Sequence, residues 1–331
     1  RTAAELSTVF GSGPFTPADA IAAGISRGRL RAAVSRGLVA RPHRGVLQVA
    51  AAACPDDSPY SREQHLALIR VALRLVGPTA VASHDSAAVL HGIARPSGRP
   101  LEVAQLIVPG EADFRGPGLR VRGSGLPPAD RSVIAGIPTT GLGRTAVDLA
   151  RGRSMPGALV ALDSAMRVRI CTTTGATGNE LRAAVHGRRL VEAARAELGR
   201  ALDGVYAWPG TVVVRQALEL ADPASESAAE SRSRGWILRA GLPPPRVGAA
   251  VPVPGRTYWA DLLWTRHRLI GEVDGFGKYG TTESVVRDRL AAEKERQYNL
   301  ESAGYRVVRW TTAEPETVVI ARIRCALASR H

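Results

Sequence analysis

The chain has 331 residues, 45% of them hydrophobic and 22% charged, and carries a net charge of +14. That length exceeds what a single core fills, and no apolar run reaches the roughly 20 residues a membrane helix needs. Several soluble domains are expected, with neither a transmembrane segment nor a signal peptide.

Cys54, Cys171 and Cys325 are far apart and show no CxxC spacing. A disulfide framework and a zinc site are not suggested, and a reducing cytoplasm fits. The positive charge is almost wholly arginine, the two lysines being Lys278 and Lys294. A GC-rich genome accounts for the choice of arginine but not for the net sign. Excess guanidinium favours polyanions, so nucleic acid is the expected partner.

In chain order, "TPADAIAAG" reads as a short helix with Thr16 as N-cap and Pro17 at its first position, ending at Gly24. Ser26 caps a second helix, "SRGRLRAAVSRG", with Leu30, Ala33 and Val34 on one face and Arg27, Arg31 and Arg36 largely outside it. "LVARPHRGVLQVA" then gives two β-prone runs. Helix, turn, basic helix and hairpin form a winged helix-turn-helix pattern. Its candidate DNA contacts are Arg27, Arg29, Arg31, Arg36 and, in the wing, Arg44.

From about 60 to 220 the reading is mixed α/β. "REQHLALIRVALRLVG" and "AVASHDSAAVLHGI" are helical, "LEVAQLIVP" and "LRVRGSGL" strand-like, and "GRTAVDLAR" and "ALVALDSAMR" helical again. His84 and His91, seven apart, share a helical face, but no Cys or carboxylate completes a metal set, and local hydrogen bonds are the commoner use. Asp222-Pro223 marks a boundary, and the helix that starts near Ser225 is stopped by Gly241 and three prolines.

The last module contains "RTYWADLLW" and "RLIGEVDGF", two strand-like runs joined by "TRHR". Alternation puts Glu272 and Asp274 on one strand face, and Asp261, eleven residues before Glu272, lies across the hairpin. Clustered carboxylates repel one another unless a cation lies between them. Mg²⁺ or Mn²⁺ would resolve the conflict and activate water against a phosphodiester, while an acidic, solvated strand end is the competing reading. "TTESVVRDRLAAEKERQYNLESAG" is a long helix, on which Lys294 and Arg296 are expected to meet phosphate or solvent, and "YRVVRW" is a final strand.

The successive motifs "AESRSR", "AGLPPP", "ADLLW", "GEVDG", "EKERQYNLESAG" and "YRVVRW" resemble, collinearly over 224–315, the endonuclease-like domain related to very-short-patch-repair enzymes of the PD-(D/E)XK superfamily. The resemblance implies a restriction-endonuclease-like αβββαβ core. It implies Asp261, Glu272, Asp274 and Glu230 as metal ligands, with Glu226 competing for the helical position. Asp274 stands where the superfamily has a catalytic lysine, and Lys278 is either its substitute or a solvated loop lysine. Arg309 is either a phosphate clamp or one half of a structural salt bridge.

"FTPADAIAAGISRGRLRAAVSRGLVARPHRGVL", "SHDSAAVLHGI" and "GIPTTGLGRTAVDLAR" are similar to AbiEi-type antitoxins and transcriptional regulators over about 5–165. The expected organisation is an α/β multidomain chain: a winged helix-turn-helix at 1–50, a mixed α/β domain at 51–223 and an endonuclease-like domain at 224–331. Two functions compete. One is a metal-dependent endonuclease using Asp261, Glu272, Asp274 and Lys278. The other is a non-catalytic DNA-binding regulator of a toxin–antitoxin system with a degenerate nuclease domain. Duplex DNA, a second copy of the chain and a toxin or antitoxin are the expected partners.

Overall fold

The computed structural model describes residues 2–10, 14–43, 45–49, 62–98, 101–116, 118–274 and 283–329. Arg44, Cys54 and Lys278 lie outside the described residues. Among the described residues the architecture is mixed α/β with three sheets of two, six and four strands. The chain falls into two compact units, one of residues 1–93 and 97–148, the other of residues 94–96 and 149–331.

The first unit opens with α1 (Thr2–Phe10), α2 (Pro17–Ala22) and α3 (Arg27–Ser35), followed by the antiparallel pair β1 (Val39–His43) and β2 (Val46–Val49). Thr16 and Asp19 cap α2 reciprocally, each side chain taking the other's backbone N–H at 3.0 and 2.9 Å. Ser26 accepts the Arg29 amide at the start of α3. These caps satisfy helix-end donors that would otherwise be orphaned, so the two short helices start where the sequence puts them. Leu6, Phe15, Ala20, Ile25, Leu30, Ala33, Val39 and Leu47 form their shared core, to which Phe10 adds a ring stacked on Phe15 at 4.5 Å.

Next come α4 (Arg62–Val76), β3 (Val81–Ala82), α5 (His84–His91), β4 (Ala104–Val108), β5 (Asp113–Gly116), β6 (Leu119–Gly123), β7 (Arg131–Ile134), β8 (Ile137–Thr140) and α6 (Leu142–Ala150). The six strands are ordered β5-β6-β4-β3-β8-β7 and include two parallel pairs, β4 with β6 and β3 with β8. Leu68, Ile69 and Ala72 of α4 pack with Leu90 of α5 and with Ala104 and Leu106 of the sheet. The histidines are used locally. His65 lies between the Leu101 carbonyl at 2.6 Å and the Ser86 hydroxyl at 3.0 Å, and His91 contacts the Thr140 carbonyl at 2.7 Å.

The second unit is organised on α7 (Met155–Thr174), followed by α8 (Gly178–Ala184), α9 (Arg188–Asp203), α10 (Thr211–Leu220) and α11 (Ala228–Arg239). Half of the twenty residues of α7 are buried, because α9, α10 and α11 all pack against it. Against α11 the approach is tight: Gly235 faces the backbone of Pro156 so closely that a Cβ would have no space.

Beyond α11 run β9 (Arg246–Val253), β10 (Arg256–Trp264), β11 (Leu269–Asp274), α12 (Glu283–Ser302), β12 (Arg306–Thr311) and α13 (Glu316–Ala328). The sheet order is β12-β11-β10-β9, antiparallel except for β11 beside β12. Leu300 of α12 joins Ile270, Leu263, Ala260 and Val251 in one core cluster. Elsewhere Trp310 donates its indole N–H to Ser233 of α11 at 2.9 Å and lies against Gly271, where a Cβ would come within 2.7 Å of the indole ring.

Candidate functional site

Three of the four carboxylates expected from the sequence converge at one end of the four-stranded sheet. Glu230 comes from the first turn of α11, Asp261 from β10 and Glu272 from β11. The observed register, Leu262 opposite Gly271 and Leu263 opposite Ile270, carries Asp261 opposite Glu272 when extended by one pair. The Asp261 carboxylate accepts the Val273 amide at 2.8 Å, so it is held in the gap between the two strands.

Electrostatics tie the three together. Burial raises the Glu272 carboxyl and the charge of Asp261 raises it further, to about 8, against the opposing pull of Arg296 and Arg309. Glu230 is likewise pushed up to about 7, first by burial and then by Asp261. A cluster in which one carboxylate makes its neighbours hold their protons is short of positive charge.

Each member nevertheless has its own donors. Glu230 accepts the Glu226 amide at 2.7 Å and the Ser227 hydroxyl at 2.8 Å, closing a cap on its own helix. Glu272 accepts from Arg296 of α12 at 2.7 Å, and the same guanidinium nitrogen also reaches the Trp259 carbonyl at 2.8 Å. Among the described residues no group of three His, Cys, Asp or Glu side chains is arranged to hold a metal ion. In this arrangement each of the three carboxylates is already engaged by a donor of the chain itself.

The remaining expected residues are placed as follows. Asp274 closes β11, with its Cα partnered to Thr311 on β12. Arg309 is ion-paired with Glu293, and its carbonyl receives Arg322. Glu226, the competing helical carboxylate, is bound by Arg182 and Arg167. Arg27, Arg29, Arg31 and Arg36 are all exposed on or beside α3, with Arg29 committed to Glu5 and Thr2 of α1.

Sequence reasoning missed Arg182 at this site and placed Arg296 only against phosphate or solvent. Arg296 lies on the helix recognised as "EKERQYNLESAG", but its inward direction depends on how α12 crosses the sheet. Arg182 lies in a helix far upstream and carries no motif that would announce it.

Residues 6–50 match the family described as transcriptional regulator, AbiEi antitoxin, and residues 80–203 match the AbiEi antitoxin C-terminal domain. Both matches overlap the part of the chain where the sequence resembles AbiEi-type antitoxins and transcriptional regulators. It is also similar to uncharacterised proteins of two Mycobacterium tuberculosis strains, CDC 1551 / Oshkosh and H37Rv. Each is 28% identical over 176 residues, 53% of this chain and 55% of the relative. The chain thus spans about half the length of the curated relatives it matches.

Proposed function

We propose that the protein is a DNA-binding transcriptional regulator of the AbiEi antitoxin type, acting with a cognate toxin partner. In this reading the C-terminal module is a nuclease-type scaffold kept for binding rather than cleavage. The observation that carries DNA binding is α3. Capped by Ser26 and anchored by buried Leu30 and Ala33, it holds Arg27, Arg31 and Arg36 exposed beside a hairpin, the layout a winged helix uses to enter a major groove. The AbiEi matches over 6–50 and 80–203 support the same role.

The test is anisotropy binding to duplex DNA from upstream of the protein's own gene. The triple variant Arg27→Ala, Arg31→Ala, Arg36→Ala should weaken binding at least tenfold. It should also lower the slope of log K against log salt by roughly 0.9 for each phosphate left without its arginine. Unchanged affinity and slope would refute the reading.

A second reading, hydrolysis of phosphodiesters with Mg²⁺ or Mn²⁺, is favoured by one observation: burial, and then the charge of Asp261, raise both Glu230 and Glu272, as in a cluster that would gain from a cation. The αβββαβ order of the module supports it as well. Metal-dependent DNA turnover abolished by Asp261→Ala and by Glu272→Ala would replace the regulator with an enzyme. Binding without turnover would retain the regulator.

A further inference from the structure

The C-terminal module carries a basic and aromatic pair beside its carboxylate cluster, and half of that pair comes from outside the module. Arg182 of α8 makes a two-pronged contact with Glu226, Nε to Oε1 at 2.8 Å and Nη2 to Oε2 at 3.2 Å, with Nη1 3.4 Å from Asn179. Its guanidinium carbon lies over the Trp259 ring, 5.8 Å from the ring centre, so a base would stack on the opposite face or on the face Arg182 leaves when it exchanges partner. Trp259 is two residues before Asp261 on β10, so alternation directs both side chains to the same side of the strand. The charges of Asp261 and Glu230 add to that of Glu226 in holding the guanidinium protonated, which places Arg182 within the field of the cluster.

The Arg182–Glu226 pair is half open to solvent, with side-chain exposures of 36% and 39%. A flat, forked cation contacting a carboxylate in two-pronged geometry presents the geometry that also fits a phosphodiester. An aromatic face next to such a cation is what strand-binding proteins use to stack a base while a phosphate is held alongside. Glu226 then acts as the resident occupant of a phosphate seat.

We propose that Arg182 and Trp259 form a binding site for single-stranded DNA, with Trp259 stacking a base and Arg182 exchanging Glu226 for a backbone phosphate. The site joins a residue of the AbiEi-type segment to a strand of the C-terminal module. It rests on reading that module as a scaffold that handles phosphate esters.

The probe is a fluorescein-labelled twelve-nucleotide oligothymidylate, titrated into the full chain carrying the Arg27→Ala, Arg31→Ala, Arg36→Ala background, so that α3 does not contribute. Arg182→Ala should weaken binding about tenfold and reduce the salt slope by roughly 0.7, the value for one phosphate on a single strand. Trp259→Ala should weaken it by a similar factor. Glu226→Gln, which releases Arg182, should tighten binding. A merely structural ion pair predicts instead that Glu226→Gln leaves binding unchanged or weakens it together with Arg182→Ala, and either result overturns the proposal. Operator binding by the unmodified chain with no oligothymidylate binding would defeat this site alone. Oligothymidylate binding sensitive to Arg182 with no operator binding would defeat the regulator reading alone.

Discussion

Arg296 and Glu272 are joined at 2.7 Å across the face between α12 and β11, and Arg296 is further fixed by the Trp259 carbonyl. Arg296 thus brings one positive charge of the chain's own to the carboxylate cluster. Glu272 is only 7% exposed, so water offers it little compensation. Arg296→Ala should lower stability by about 2 kcal/mol at neutral pH, the cost of leaving a buried acceptor without its charged donor. The loss should grow above about pH 8, where Glu272 ionises in the native protein and Arg296 exerts the larger of the two cationic pulls on it, ahead of Arg309. Urea unfolding at about pH 7 and about pH 9 measures both, and an equal, negligible loss at the two values would contradict the role given to Arg296.

The cluster also predicts how stability varies with pH. Glu230 and Glu272 are raised in the folded protein to about 7 and about 8 from an ordinary 4.5. The folded state binds their protons more tightly than the unfolded chain does. Their stabilising contribution is complete below about pH 4.5 and is lost as pH rises through 7 and 8. Glu272→Gln cannot ionise, so it should melt close to wild type at about pH 5 and distinctly higher at about pH 8.5. Melting curves that stay parallel at both values would rule this out.

Arg234 of α11 holds both carboxylate oxygens of Asp163 on α7 at 2.8 Å, while Asp163 also accepts the Asp222 amide at 2.9 Å. The pair is almost fully enclosed, with side-chain exposures of 6% and 0%. Breaking a buried pair leaves an uncompensated charge, so Arg234→Ala should destabilise by about 3 to 5 kcal/mol. Asp163→Asn with Arg234→Met, which removes both charges, should recover a large part of that loss. Calorimetry of the single and double variants decides it.

Gly235 sets how closely α11 lies on α7, since any Cβ there collides with Pro156 backbone. Gly235→Ala gains helix propensity of about 1 kcal/mol but forces the helices apart, with an overpacking cost of about 1 to 3 kcal/mol. Net destabilisation is expected in chemical denaturation. A more stable variant would show that the interface yields easily.

Local features of the chain were legible because they rest on local physics. Thr16 with Pro17, and Ser26 before the arginine-rich helix, fix two helix starts by hydrogen bonds that span three residues. The alternation in "LIGEVDGF" and its distance from Asp261 place two carboxylates across a hairpin, because strand period and turn length set the register. A run of arginines with few acidic neighbours foretells exposure, since isolated buried charge is costly.

What the tertiary structure decided is which charges meet. Asp163 and Arg234 are 71 residues apart, and Arg296 and Glu272 are on elements whose crossing no periodicity encodes. Arg182 reaches Glu226 and Trp259 only because α8 folds in the same compact unit as the C-terminal sheet. By itself the sequence determined the caps, the hairpin carboxylates and the basic helix, each governed by interactions a few residues long. That Arg296 meets Glu272 is a matter of long-range packing, which only the folded chain decides.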